Sequence, residues 1–151
     1  MAAKEQGKKK MMLEVVNPYE VFFEGRIESI VLPTVDGQYG IMPGHSPIVV
    51  AVAPGIARVE MDGETKVFTV SEGFAEIGQH VVVIVCNAAE WPSEIDIERA
   101  ESALERAKTR FNSVTTTEEQ RLYAQHAMER AKARITVAKE WEKSSKNHSE
   151  L

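Results

Sequence analysis

Four arginines in the part of this 151-residue chain that follows Pro92 have the type and spacing to bind a polyphosphate. Arg99 and Arg106 are seven residues apart, and Arg130 and Arg134 are four apart, so each pair lies on one flank of a helix. In an antiparallel helical hairpin the two flanks could converge, and guanidinium groups bind phosphate oxygens in pairs. Pattern alone favours a plainer interpretation, in which the arginines are solvated partners of nearby glutamates: Glu98, Glu101, Glu105 and Glu129.

A second candidate is the glycine- and proline-rich stretch at residues 36–47, Asp-Gly-Gln-Tyr-Gly-Ile-Met-Pro-Gly-His-Ser-Pro. His45 and Ser46 could be a base and a nucleophile, but adjacent residues of an extended segment point to opposite faces, which disfavours proton transfer between them. We expect a rigid double turn at a sheet corner instead. Such a turn suits docking, because a fixed loop loses little entropy on binding.

Composition changes abruptly near Trp91-Pro92, from a Val-, Ile-, Gly- and Pro-rich part to one rich in Ala, Glu, Arg and Lys without Gly or Pro. Residues 11–92 carry three basic against eleven acidic side chains, which disfavours nucleic acid as a partner. No apolar run is long enough for a spanning helix, so direct membrane insertion is not expected. The single cysteine, Cys86, and four scattered histidines predict neither a disulfide nor a metal site.

The elements expected to position these side chains fall into two domains. Residues 1–10 are predicted to be a disordered extension, residues 11–92 eight to ten short strands, residues 93–141 two helices, and residues 142–151 a flexible tail. Capping boxes are expected at Ser93 with Asp96 and at Thr116 with Glu119. The apolar stripes of the two helices fall at steps of three and four residues: Ile97, Ala100, Leu104, Ala107 and Phe111, then Ala124, Met128, Ala131, Ile135, Ala138 and Trp141.

The seam between the two predicted helices is rich in alanine. Alanine lets helices approach closely, but it buries little apolar area per turn, at about 25 cal/mol per Å². We therefore expect a hairpin of marginal stability that is able to open.

Three segments carry a resemblance to a known family. Residues 31–33, Val-Leu-Pro, with residues 37–47 form the first; residues 70–74, Val-Ser-Glu-Gly-Phe, the second; and residues 95–100, Ile-Asp-Ile-Glu-Arg-Ala, the third. In this order and spacing they resemble the epsilon subunit of bacterial rotary F-type ATP synthases, over residues 12–140.

The resemblance implies an α+β, mainly β, fold: a ten-stranded antiparallel β-sandwich followed by an antiparallel two-helix hairpin. It further implies a non-catalytic central-stalk subunit that couples proton-driven rotation of the c-ring to ATP synthesis. The sandwich would bind the gamma subunit and rest on the c-ring at the cytoplasmic face of the bacterial cell membrane, as a peripheral protein. Contacts are expected from four residues of the double turn: Tyr39, Met42, His45 and Ser46.

The resemblance also implies a hairpin with two states, folded on the sandwich or extended along gamma towards the alpha and beta subunits, where it inhibits ATP hydrolysis. ATP, with or without Mg²⁺, would hold the folded state, and the matching residues are Glu90, Ile95, Asp96, Arg99, Ala100, Arg106, Arg130 and Arg134. One alternative is a purely mechanical epsilon subunit without nucleotide binding. Others are a free-standing ligand-binding sandwich and, least favoured, an autonomous enzyme.

Overall fold

The structure, a computed structural model, describes residues 9–149. Ten strands precede a 3-10 turn (Pro92–Glu94) and two helices, α1 (Ile97–Phe111) and α2 (Glu118–Ser149). The strands are β1 (Met11–Val16), β2 (Val21–Ile27), β3 (Ser29–Thr34), β4 (Gly37–Ile41), β5 (Ile48–Val52), β6 (Gly55–Met61), β7 (Glu64–Val70), β8 (Gly73–Ile77), β9 (Val81–Cys86) and β10 (Ala89–Glu90).

The strands form two layers. Pairing runs β2-β1-β9-β8-β5 in one layer and β4-β3-β6-β7-β10 in the other, and the layers join at a single pair, Thr34 with Val52. The predicted sandwich is thus confirmed, with one departure: β1 pairs with β9 in parallel, whereas the remaining pairs within residues 9–149 are antiparallel. Asp62-Gly63, a dipeptide typical of two-residue hairpin turns, joins β6 to β7, with φ of 52° and 77°.

The core lies between the layers and is built from alternate residues of the strands, because side chains of a strand point to opposite faces. Its largest fully buried members are Phe68, Met11, Leu13, Ile27, Ile30, Leu32, Ile41, Ile77 and Ile84. At one end Trp91 stacks on Phe22 at 4.8 Å between ring centroids and lies 5.6 Å from Phe68. This aromatic cluster fixes the point at which the chain leaves the sandwich for the hairpin.

Both helices are capped by residues other than the predicted ones. Asp96, not Ser93, caps α1: its carboxylate accepts the Arg99 N–H at 3.2 Å, because the preceding residues form the 3-10 turn. At α2 the reciprocal bonds join Thr117 and Gln120, one residue later than expected. The Thr116 hydroxyl is used elsewhere, donating to the Arg110 carbonyl at 2.6 Å.

Alanines line the seam between α1 and α2, as predicted: Ala100, Ala107, Ala124, Ala131 and Ala138 are all buried. Trp141, at the end of the predicted stripe, is exposed. Helix α2 continues past it to Ser149, so the part of the predicted tail that the structure describes is helical; residues 142–149 contain no glycine or proline to end the helix.

The predicted N-terminal extension falls largely on residues 1–8, outside the described residues. Within the described part, Lys9 and Lys10 are exposed, and Lys10 Nζ lies 2.9 Å from Asp62 Oδ1. Neither helix of residues 9–149 combines the length and apolar character needed to cross a bilayer.

Candidate functional site at the hairpin–sandwich junction

Helix α2 has a second inward face that the seam periodicity did not reveal. Arg130, Ala133, Arg134 and Val137 recur at steps of three and four, and Ala133 and Val137 are buried. This face packs on strands β6 and β7 of the sandwich. The hairpin is therefore docked on the sandwich, and its two arginines point at the sheet rather than at α1.

Two ion pairs hold this docked arrangement. Arg130 Nη1 donates to both carboxylate oxygens of Glu72, at 2.8 and 3.0 Å. Arg134 Nε lies 2.8 Å from Glu90 Oε1, and its Nη2 donates to Oε2 at 3.3 Å. All four side chains are about one third exposed, between 27% and 34%. Partial burial makes such charge-assisted pairs stronger than fully solvated ones.

The strands fix the two carboxylates. Glu72 lies in the turn between β7 and β8, and Glu90 lies in β10, opposite Thr69 of β7. Beside Glu90 the two docked arginines leave a cleft of only about 30 Å³, far below the roughly 300 Å³ of a typical small-molecule site. In the docked arrangement this cleft has no room for a nucleotide.

Arg99 and Arg106 lie elsewhere. They line a separate pocket of about 430 Å³ along α1, together with Asp96, Glu98 and Ser102. The four arginines therefore do not share one pocket, because the face of α2 that carries Arg130 and Arg134 turns towards the acidic sandwich. This pocket is within the size range of small-molecule sites and offers two guanidinium groups beside two carboxylates.

The other predicted ligand residues have clear structural positions. Asp96 caps α1 and also lines the Arg99–Arg106 pocket. Ala100 is fully buried in the helix seam, and Ile95, which ends the 3-10 turn, is partly buried. Within residues 9–149 no group of three or more His, Cys, Asp or Glu side chains is placed to hold a metal ion.

The double turn at residues 36–47 is ordered around His45. Its Nδ1 lies 2.7 Å from the Ser46 carbonyl oxygen and its Nε2 lies 2.9 Å from the Tyr39 hydroxyl. A carbonyl only accepts, so Nδ1 carries a hydrogen, and in the neutral ring Nε2 accepts from the Tyr39 hydroxyl. Both ring nitrogens are thus bonded to groups other than the Ser46 hydroxyl, so His45 is not positioned as a base for Ser46. Met42 and Ser46 are exposed at the tip.

A further surface was missed by the sequence reasoning. On the outer face of the first layer, cross-strand pairs place Phe74 opposite Val85, Val85 opposite Val16, and Val16 opposite Val21. Phe74, Val85 and Val21 are each more than half exposed. The unbroken apolar run of β9, Val-Val-Val-Ile-Val-Cys, was the available signal, since a strand with one wet face alternates. A contiguous apolar row of this kind marks an interaction surface.

Two family matches divide the chain as its fold does. Residues 10–92 match the family described as "ATP synthase, Delta/Epsilon chain, beta-sandwich domain", and residues 93–139 match "ATP synthase, Delta/Epsilon chain, long alpha-helix domain". These boundaries coincide with the passage from strands to helices after Trp91.

Similar proteins agree with these matches. The chain is 38% identical over 135 residues to the ATP synthase epsilon chain of Caldanaerobacter subterraneus subsp. tengcongensis, covering 89% of this chain and 97% of that one. It is 40% identical over 128 residues to the epsilon chain of Caldicellulosiruptor bescii, covering 85% and 93%.

Solved structures show the same fold. A chain of the Euglena gracilis mitochondrial ATP synthase OSCP/F1/c-ring assembly superposes with a TM-score of 0.72 at 28% identity, over 84% of this chain and 81% of that chain. A chain from the Tetrahymena thermophila mitochondrial ATP synthase central stalk and c-ring, at 14% identity and a TM-score of 0.59, supports the fold alone. Matched across both its sandwich and its hairpin, the chain belongs to the ATP synthase delta/epsilon family and falls among its epsilon chains.

Proposed function

We propose that this chain is the epsilon subunit of the central stalk of a bacterial F-type ATP synthase and couples proton-driven rotation of the c-ring to ATP synthesis. The epsilon subunit is non-catalytic, and its task is mechanical. The relatives at 38 to 40% identity are named as ATP synthase epsilon chains, and the Euglena structure is of an assembly that contains F1 and the c-ring. Through the ring the chain would lie at the cytoplasmic face of the cell membrane as a peripheral protein.

Two surfaces suit the two rotor partners. The exposed apolar row of Phe74, Val85 and Val21 is the surface we assign to gamma, because a permanent partner buries apolar area. The double turn with Tyr39, Met42, His45 and Ser46 is the surface we assign to the c-ring. Its internal hydrogen bonds fix the loop before contact. Cysteine cross-linking in membranes tests this: Met42→Cys should join a c subunit and Val85→Cys should join gamma, whereas the reverse pairing would contradict it.

The hairpin is the regulatory part of the proposal, and its docking by two ion pairs and a small apolar face, Ala133 and Val137, is the observation that carries it. Two buried side chains of this size contribute little apolar area, and partly exposed ion pairs contribute roughly 1 kcal/mol each, so docking is weak enough to be reversed. Undocked, α1 and α2 would extend along gamma towards the alpha and beta subunits and inhibit ATP hydrolysis.

ATP is the proposed ligand of the docked state. The supporting feature is the pocket of about 430 Å³ that holds Arg99 and Arg106 beside the first turn of α1. A ligand shifts a two-state equilibrium only if it binds one state more tightly. ATP would therefore have to bridge the hairpin and the sandwich, which requires Arg130 and Arg134 to turn from Glu72 and Glu90 towards its phosphates.

Calorimetric titration of the full chain with ATP, with and without Mg²⁺, tests the nucleotide site. Arg106→Ala should weaken ATP binding by about tenfold, because a charge-assisted phosphate contact is lost. Arg110→Ala, on the same helix but outside that pocket, is the matched control. Equal affinities of the two variants would refute the assigned site.

A specific observation favours the purely mechanical alternative. Arg130 and Arg134 already have carboxylate partners, and the cleft between them is about 30 Å³. Such a subunit would keep its hairpin docked without any nucleotide. A thermal-shift assay separates the two functions, because a ligand that binds only the folded chain at 100 times its dissociation constant stabilises by about 2.7 kcal/mol. No shift at millimolar ATP would favour the mechanical subunit.

A further inference from the structure

Glu72 is the residue of the junction to which neither the predicted ATP site nor the rotor surfaces assign a role. Its backbone is held on both sides: the Glu72 carbonyl accepts the Asn87 N–H at 3.3 Å, and the neighbouring Ser71 hydroxyl accepts the Ala88 N–H at 2.8 Å. The next residue, Gly73, lies against the backbone of β9. The sheet therefore presents this carboxylate from a fixed position.

Its partner is fixed only when the hairpin is docked. Arg130 reaches Glu72 from the face of α2 that also buries Ala133 and Val137 against the sandwich. Both Glu72 oxygens are bound by the same Nη1 atom, at 2.8 and 3.0 Å. Leaving the docked state would break both contacts at once. Glu72 would then remain on a sandwich whose residues 11–92 carry three basic against eleven acidic side chains.

We propose that Glu72 is a built-in counter-anion: it latches the hairpin to the sandwich through Arg130 and competes with the phosphates of a bound nucleotide for the same guanidinium group. The inference rests on the proposed mobile hairpin. It deepens that proposal by naming the group that sets the resting position in the absence of ligand.

The two roles of Glu72 predict opposite effects when its charge is removed: docking of the hairpin weakens, and binding of a polyphosphate strengthens. Neutralising Glu72 breaks the latch and raises the undocked population. The same change frees Arg130 and strengthens the binding of a polyphosphate to the docked hairpin. If Glu72 had only a structural role, its removal would weaken both docking and ligand binding. The two readouts together therefore distinguish the latch from a structural role.

The experiment measures the hairpin position in the full chain by electron-spin distance measurement. Labels are placed on cysteines introduced at the exposed Gln79 and Gln125, while the buried Cys86 is left in place. Without ATP, Glu72→Gln and Arg130→Gln should each raise the ratio of undocked to docked chains by about fivefold, equivalent to about 1 kcal/mol. The double variant should open no further than either single one, because the two changes remove one interaction.

Two controls isolate the pair. Glu76→Gln removes an exposed carboxylate from β8, the strand that follows Glu72, and should leave the ratio unchanged. The exchanged variant Glu72→Arg with Arg130→Glu should restore at least half of the docking lost in the single variants. Thermal unfolding of every variant identifies any that is globally destabilised.

Titration with ATP supplies the second readout: Glu72→Gln should bind ATP about fivefold more tightly than the natural chain. If no variant binds ATP but Glu72→Gln still opens the hairpin and the exchange closes it, the latch is supported and the nucleotide part of the proposed function fails. If ATP binds but Glu72→Gln opens the hairpin no more than Glu76→Gln, the latch is overturned while the proposed function stands.

Discussion

Gly73 opens β8, at the point where the sandwich presents Glu72 to the hairpin, and replacing it by alanine should destabilise the whole domain. A Cβ atom at this position would lie 2.0 Å from the Val85 carbonyl oxygen and 2.7 Å from the Cys86 Cα. Ordinary contacts of a Cβ lie at 3.4 to 4 Å. Strands β8 and β9 would have to separate by more than about 1 Å, since the obstacle is backbone and cannot rotate away.

The expected loss is about 3 kcal/mol, the upper end for overpacking, because the pairs Gly73–Cys86 and Phe74–Val85 are strained together. For a domain of this size that loss lowers Tm by roughly 12 °C or more. Circular dichroism during heating and urea unfolding measures both values. Gly40→Ala is the control, because nothing lies within 4 Å of a Cβ there. Equal stability of the two variants would refute the argument from close strand approach.

Three further predictions test other parts of the structure. Trp91→Ala should lower the free energy of unfolding by about 3 kcal/mol in urea, because stacking with Phe22 and contact with Phe68 are lost; a loss below 1 kcal/mol would contradict the anchoring role of the cluster. Burial raises the pKa of the Cys86 thiol, so the unfolded thiol ionises first and stability should fall as pH rises above about 8.5. Cys86→Ala should flatten that decline, as measured by unfolding at pH 7.5 and 9.5. Phe74→Glu should weaken gamma binding by more than about tenfold in a pull-down titration while leaving Tm nearly unchanged, because Phe74 is 63% exposed.

Local sequence patterns were sufficient to predict the two-domain fold. Short β-rich runs bounded by glycine and proline predict the strands. The Asp62-Gly63 pair indicates a hairpin turn, because both residues adopt positive φ. The alanine spacing gave the seam between α1 and α2. Each of these signals depends on neighbours in sequence, which a single chain displays directly.

What the sequence did not reveal depends on contacts between distant segments. The parallel pairing of β1 with β9 joins residues about 70 positions apart, and no local motif encodes it. Arg130 and Arg134 were expected to face a ligand shared with α1. Instead they face the sandwich, because Glu72 from the β7–β8 turn and Glu90 from β10 both reach the junction. The cap of α1 lies at Asp96 instead of the predicted Ser93, because Pro92 begins a 3-10 turn that includes Ser93.

The central claim is that a firmly built sandwich attaches the chain to the rotor, while the hairpin inhibits ATP hydrolysis when it leaves its docked position. The most direct measurement compares ATP hydrolysis by synthase reconstituted with the full chain and with a chain ending at Pro92, after confirming that both bind gamma. The account predicts equal incorporation and faster hydrolysis without the hairpin, because the extended inhibitory state is no longer available. Equal hydrolysis rates with both chains, or failure of residues 1–92 to bind gamma, would contradict it.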